Sequence, residues 1–165
     1  MLRVSTRARY GLRLMVDLAR NGSGEEPVSL GTVSERTGIS RSYLEHVAHA
    51  LRAASLLRSV SGRNGGYWLA EPPAAITVGR IFDALNGPTR LVDCVDDPES
   101  CIRRDRCECV LVYRLINDRI ADVLHGHTLA DMLDPEWVRV HGGTIATDPD
   151  SSMDTPGCGP LSRGP

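Results

Sequence analysis

The sequence predicts a mostly helical chain with one small β-hairpin and a long helix beyond it. Three observations predict this. Between residues 29 and 54 two amphipathic helical patterns meet at Gly38, each opened by a serine able to cap it. Between 57 and 69 the helical period stops, and two short apolar runs flank a glycine-rich tip. From about Cys107 to Leu124 the helical period returns and runs on for longer than a small domain needs to close its core.

Each element follows from local chemistry. Ser5 or Thr6 can cap a first helix to about Arg20, in which Tyr10, Leu14, Met15 and Leu18 give an apolar stripe, and Asn21-Gly22-Ser23-Gly24 ends it. Ser29 caps a short helix over 30–37 with Leu30 and Val33 facing inward, and Gly38 makes the turn. Ser40 then caps a helix to about Ala54, where Leu44, Val47, Ala48 and Leu51 recur at i, i+3, i+4 and i+7. Strands are expected over 57–60 and 67–69, joined by Ser61-Gly62-Arg63-Asn64-Gly65-Gly66, whose glycines allow the positive φ of a hairpin tip. Pro72-Pro73 closes this unit. Thr77 caps a further helix carrying Val78, Ile81, Phe82 and Leu85, and Asn86-Gly87-Pro88 ends it. Residues 89–106 are polar, acidic and cysteine-bearing, a loop that something else must order. On the long helix Val112, Leu115, Ile116, Ile120 and Val123 make one apolar seam, read as a dimerisation surface. Beyond about Val140 little can be buried, and the chain is expected to be disordered.

A length of 165 residues with 41% hydrophobic content can bury a real core, and 4% aromatics leaves the packing to aliphatic side chains. The net charge of −2 hides a split: residues 1–80 carry 11 Arg against 6 acids, and residues 81–165 carry 8 Arg against 15 acids. That asymmetry suits a nucleic-acid-facing half joined to one that is not. There is no lysine, which is read as genome composition. No apolar run approaches a membrane span and the N-terminus has no apolar leader, so a cytoplasmic protein is expected. In that compartment thiols stay reduced, and five cysteines suggest metal or redox chemistry more than structural disulfides.

The paired helices over Ser29–Arg52 have the organisation of a helix-turn-helix, held by Val33, Ile39, Leu44 and Val47. Arg41, Ser42, Tyr43, Glu45, His46 and His49 then lie near the exposed face or the N-terminal end of the second helix. Arg can donate two bonds to a guanine edge, Ser and Tyr can bond phosphate or base, and a helix N-terminus favours phosphate. The hairpin adds a wing, with Arg63 and Asn64 at its tip suited to the minor groove or the backbone, and Gly65 allowing close approach. A nucleotide-cradling loop is the competing reading of Gly62–Gly66, but it lacks the Lys-Ser/Thr pair and precedes a strand. A plain helical hairpin without a nucleic-acid role is the blander one.

Cys94, Cys101 and Cys107 stand in a C-x6-C-x5-C run, with Cys109 two positions later. Their chemistry suits an iron–sulfur cluster; a zinc site, a thiol switch and no ligand at all also stand. Zinc prefers paired C-x2-4-C spacing, which this is not. Cys158 is read as incidental, and His125 and His127 as residues of a helix end.

The sequence resembles the winged-helix repressors typified by the iron–sulfur cluster assembly regulator and its nitric-oxide-sensing relative. The resemblance covers roughly residues 2–133. It is carried by Arg9-Tyr10, Ile39-Ser40, Ser42-Tyr43-Leu44-Glu45, Gly62 with Gly65-Gly66-Tyr67, Thr77-Val78-Gly79 and the cysteine segment. It implies a homodimer on an inverted-repeat operator in double-stranded DNA, with the long helices crossing between subunits. Ser42, Tyr43 and Glu45 would read bases, and Arg63 with its glycines would enter the minor groove. Cys94, Cys101 and Cys107 match the three cysteines that hold a 2Fe–2S or 4Fe–4S cluster in the family. Two departures from the family stand out: the first spacing is x6, a point at which relatives vary, and the fourth ligand is missing. Where the assembly regulator has a histidine three residues past the third cysteine, this chain has Val110. Where some relatives supply an acidic residue from the partner's first helix, it has Arg9. Cys109, Glu108, Asp93 or a small exogenous ligand are left; Cys109 is best chemically, but two residues apart on a helix point in different directions.

The expected organisation is a winged helix-turn-helix domain over 1–87 and a cluster-binding loop over 88–107. A dimerisation helix with a short C-terminal helix follows over 108–134, and a disordered tail over 141–165. The expected function is a dimeric transcriptional repressor sensing redox state, nitric oxide or cluster supply. A metal-free regulator under thiol or partner control, and an iron–sulfur carrier with a degenerate DNA unit, are the alternatives. No nucleophile–base pairing or cofactor fingerprint points to an enzyme.

Overall fold

The computed structural model describes residues 4–22, 26–88, 92–95, 97–102 and 106–142. Serine and threonine caps set the early helices. Ser5 accepts from the Ala8 N–H and opens α1, Thr6–Asn21. Ser29 accepts from Thr32 and opens α2, Leu30–Thr37; Ser40 accepts from Tyr43 and opens α3, Arg41–Ala53. Each satisfies an N–H that the first helical turn leaves without a partner. Gly38 stands at φ 70° between α2 and α3, a left-handed conformation that L side chains resist. Leu14, Met15, Val33, Leu44, Val47 and Leu51, all without solvent exposure, pack the three helices into one core with Ile76, Ile81 and Leu129. Burial of each such leucine is stabilising by about 2 kcal/mol.

An ion pair with a buried carboxylate and a half-buried guanidinium also joins α1 to α2. Arg36 donates to both carboxylate oxygens of Asp17, at 2.9 and 2.6 Å, and Asn21 donates to the same carboxylate at 3.0 Å. The hydrogen bonds from Arg36 and the Asp17 charge hold the guanidinium pKa above its ordinary value.

Strands β1, Leu57–Val60, and β2, Gly66–Leu69, pair antiparallel from Leu57↔Leu69 to Val60↔Gly66. The segment before α2 joins the other edge of β2, where Val28 and Tyr67 exchange two hydrogen bonds of 2.9 Å. The hairpin therefore leans on the start of the helix-turn-helix. A short 3-10 turn, Pro73–Ala75, leads to α4, Val78–Asn86, capped by Thr77. Arg80 of α4 grips Glu71 with two bonds of 2.7 and 2.8 Å.

The cysteine-bearing segment holds 3-10 turns at Asp93–Val95 and Pro98–Ser100. The long helix α5 spans Cys109–Gly126, so it begins later than the expected Cys107. Val110 and Asn117 are buried; Leu111, Val112, Leu115, Ile116 and Val123 are exposed, so the apolar seam lies uncovered in one chain. After α5 the chain turns back. His127 accepts from the Val78 N–H, and Leu129 donates to Ile76, both at 2.9 Å. These bonds seat α6, Leu129–Leu133, in the same core as α1–α4. A final helix α7, Pro135–His141, was not foreseen. Its start is a local signal: Asp134 accepts from Glu136, and proline occupies the first helical position. The tail expected to be disordered, apart from residues 141 and 142, lies outside the described residues, as do Cys158 and residues 89–91, 96 and 103–105 of the expected loop.

Candidate nucleic-acid interface

The polar face of α3 is the complement of its core stripe. With Leu44, Val47, Ala48 and Leu51 inward, Arg41, Ser42, Glu45, His46 and His49 are all exposed. Arg41 and Glu45, one turn apart, form an ion pair at 3.0 Å. Such an exposed pair is worth about 1 kcal/mol or less, so it does not withhold Arg41 from a phosphate or a base edge. Tyr43 is half-buried, its ring edge-on to Tyr10 with centroids 5.4 Å apart, so that it helps to pack α3 on α1.

The wing faces the same way as the start of α3. Arg41 and Glu45 line one groove with Arg63, Gly65 and Gly66 of the wing and with Ser29 and Gly31 at the start of α2. Arg63 and Asn64 are exposed at the tip. The contribution of the α2 N-terminus was missed from the sequence; the Ser29 cap was its only local signal. The glycines serve differently from expectation. Only Gly62 has positive φ, at 126°, and Gly65 closes the tip by donating to the Gly62 carbonyl at 3.0 Å. Gly66 is needed for close approach: a Cβ there would stand 2.4 Å from the Val28 carbonyl oxygen.

The candidate cluster residues lie between α4 and the start of α5. Cys94, Cys101 and Cys107 are half-buried, whereas Cys109, the first residue of α5, is exposed. Burial thus separates Cys109 from the three that match the spacing argument, and the late start of α5 leaves Cys107 ahead of the helix. The Asp93–Val95 turn packs against α5, with Val95 and Val110 both buried. Among the described residues no three His, Cys, Asp or Glu side chains converge closely enough to hold a metal ion. The donor set suits an iron–sulfur cluster chemically, since half-buried thiols are its normal ligands, but the thiols are not gathered in advance. His125 lies 3.4 Å from Asp83, and His127 stacks edge-on to Trp137. No helix among the described residues is long and apolar enough to cross a membrane.

Residues 4–135 match the Rrf2 family, described as an iron-dependent transcriptional regulator. The chain belongs to the Rrf2 family. The HTH-type transcriptional regulator CymR of Bacillus subtilis is 37% identical over 131 residues, 79% of this chain and 89% of the relative. The HTH-type transcriptional regulator IscR of Erwinia tasmaniensis is 36% identical over 139 residues, 84% of this chain and 83% of the relative. The solved structure of CymR, there called the global cysteine regulator of B. subtilis, matches with a TM-score of 0.65 at 38% identity. That match covers 80% of this chain and 96% of CymR. Like other Rrf2 members, this chain is a DNA-binding transcriptional regulator with a winged helix-turn-helix, and its relatives are regulators rather than enzymes.

Proposed function

We propose that this Rrf2 protein is a dimeric repressor whose operator binding is set by an iron–sulfur cluster on Cys94, Cys101 and Cys107. One observation carries the reading. The three half-buried cysteines lie on a segment whose Asp93–Val95 turn packs on α5, the helix with the exposed apolar seam. A 2Fe–2S or 4Fe–4S cluster there would supply a centre sensitive to oxidation, to nitric oxide and to cluster supply. The seam of Leu111, Val112, Leu115, Ile116 and Val123 supports a homodimer, because an exposed apolar stripe of this length calls for a cover. Two copies of α3 then meet successive major grooves of an inverted repeat. Arg41, Ser42, Glu45 and His46 face the bases, with the Tyr43 ring bracing the helix from behind. Arg63, Asn64 and Gly65 of the wing meet the minor groove or the backbone.

A second reading has its own support. CymR is as similar as IscR, it is called a cysteine regulator, and no three ligands converge among the described residues. In that reading the same thiols act without metal, by oxidation. The deciding measurement is the absorption spectrum of protein purified without oxygen, with iron, sulfide and zinc quantified on the same sample. Charge-transfer bands with iron and sulfide, lost in Cys101→Ala, are expected. A colourless wild-type protein without iron, after reconstitution has also been attempted, would leave the thiol reading.

A further inference from the structure

The long helix α5 meets the DNA-binding core at its C-terminal end through a slot on α4. The imidazole of His125 lies flat against Gly79: a Cβ at Gly79 would stand 2.4 Å from the ring atoms Cε1 and Nδ1. One turn further along α4, Asp83 faces the same ring, with its Oδ2 3.4 Å from Nε2. Gly79 is itself buried, and His125 and Asp83 keep partial access to solvent. Just beyond, the chain is pinned by the two hydrogen bonds around Thr77 and Thr128.

These two attachments do different things. The backbone bonds fix a point, and a helix held at one point can still swing. A ring wedged one turn back along α5, between residues one turn apart on α4, adds a second contact and so fixes a direction. The lever is long: 18 residues make α5 about 27 Å, so a swing of about 10° carries its far end about 5 Å. The Asp93–Val95 turn packs on this same helix.

We infer that His125, seated between Gly79 and Asp83, is the positioning residue that sets the angle of α5 to the winged helix-turn-helix. In the dimer it thereby sets the separation of the two recognition helices. This rests on the dimeric reading above, in which the exposed seam of α5 joins the copies. His125 touches no base; it acts through the helix that carries the partner. A purely stabilising contact predicts weaker binding to every DNA alike. A positioning contact predicts an altered preference for the distance between half-sites, because two recognition helices must dock about one helical turn apart at once.

The test is selection from random-sequence duplex DNA with the full-length wild type and with Gly79→Ala and His125→Ala, followed by affinities on the selected site with spacers lengthened or shortened by one base pair. Gly79→Ala expels the ring while favouring the helix, so it keeps the fold where His125→Ala removes the ring outright. The wild type is expected to select an inverted repeat and to discriminate against the altered spacers by about tenfold or more, since lost simultaneous docking forfeits avidity. Both variants are expected to select the same half-site but to discriminate spacers by about threefold or less, or to move the optimum by a base pair. His125→Gln, which retains a donor toward Asp83, is expected to recover part of the wild-type discrimination. Variants that bind more weakly but keep the wild-type spacer preference would overturn the inference and leave His125 a stabilising residue. A wild type that selects a single half-site would sink the dimeric reading itself, and this inference with it.

Discussion

Replacing Gly66 by alanine tests how the wing is attached to the helix-turn-helix. A Cβ at Gly66 would meet the Val28 carbonyl oxygen at 2.4 Å, its carbon at 2.6 Å and the Ser29 nitrogen at 3.0 Å. All three are backbone atoms, so no side chain can rotate out of the way. Restoring ordinary contact moves the Val28 segment away from β2 by about 1 Å, which stretches the two 2.9 Å bonds between Val28 and Tyr67 beyond hydrogen-bonding range. At about 1 kcal/mol for each lost bond, Gly66→Ala should destabilise the protein by about 2 kcal/mol. That corresponds to about 6 °C in Tm for a chain of this size, or about 1 M in the urea midpoint. The same movement separates Ser29 and Gly31 from Arg63 across the groove, so operator affinity should fall about tenfold, an amount set by about 1.4 kcal/mol. Urea unfolding and fluorescence anisotropy on operator DNA read the two effects. Gly31→Ala is the control: it sits in α2 beside the same groove, its Cβ would meet only the Ser29 hydroxyl at 3.5 Å, and it should be neutral or stabilising by up to about 1 kcal/mol. If Gly66→Ala unfolds within about 0.5 kcal/mol of the wild type, the two segments are not held as closely as the geometry requires.

Three other outcomes follow from the same structure. Arg36→Met strips a buried carboxylate of its main partner. Because Arg36 is about a third exposed and water can follow, the cost should be about 2 kcal/mol rather than the larger values of sealed pairs, and Asp17→Leu/Arg36→Met should recover most of it in urea unfolding. Leu115→Glu charges the exposed seam and, if the chain is the proposed dimer, should yield monomer by analytical ultracentrifugation; an unchanged sedimentation coefficient would remove the seam as the interface. Acid should loosen the fold in a defined window. Hydrogen bonds from the Thr128 N–H and hydroxyl hold Asp131 below the ordinary carboxylate range, with His127 adding a smaller effect, and Arg80 and Arg139 do the same for Glu71 and Glu136. Groups whose folded pKa is depressed stabilise above their unfolded pKa and lose that contribution as pH falls through the folded value, so Tm should drop below about pH 4.5. Asp131→Asn should flatten part of that drop, and an equally steep profile in the variant would exclude its share.

The sequence by itself determined what depends on neighbours a few residues away. Ser5, Ser29, Ser40 and Thr77 each cap a helix because a hydroxyl reaches an N–H three residues on, a contact settled within one turn. The core stripe of α3 follows from its period, and that stripe in turn leaves Arg41, Ser42, Glu45 and His46 outward. The family was legible for the same reason, since its motifs are short local runs. What tertiary structure alone decided are contacts between segments far apart along the chain, which no period records. Val28 joins the wing, so Gly66 is demanded by a carbonyl nearly forty residues away rather than by its own φ. Tyr43 leans on Tyr10. The chain after α5 returns to Ile76 and Val78, which places Leu129 in the core formed with α1–α4 and His125 on Gly79. Helix α7 carried a proline and an aspartate cap in plain sight, but its few residues offer too short a period to read, and Trp137, which stacks on His141 one turn along the same helix, meets His127 only once α6 has turned back. The spacing of the cysteines marks them as a set, yet bringing three thiols to one point is a matter of loop closure, and spacing alone does not close a loop.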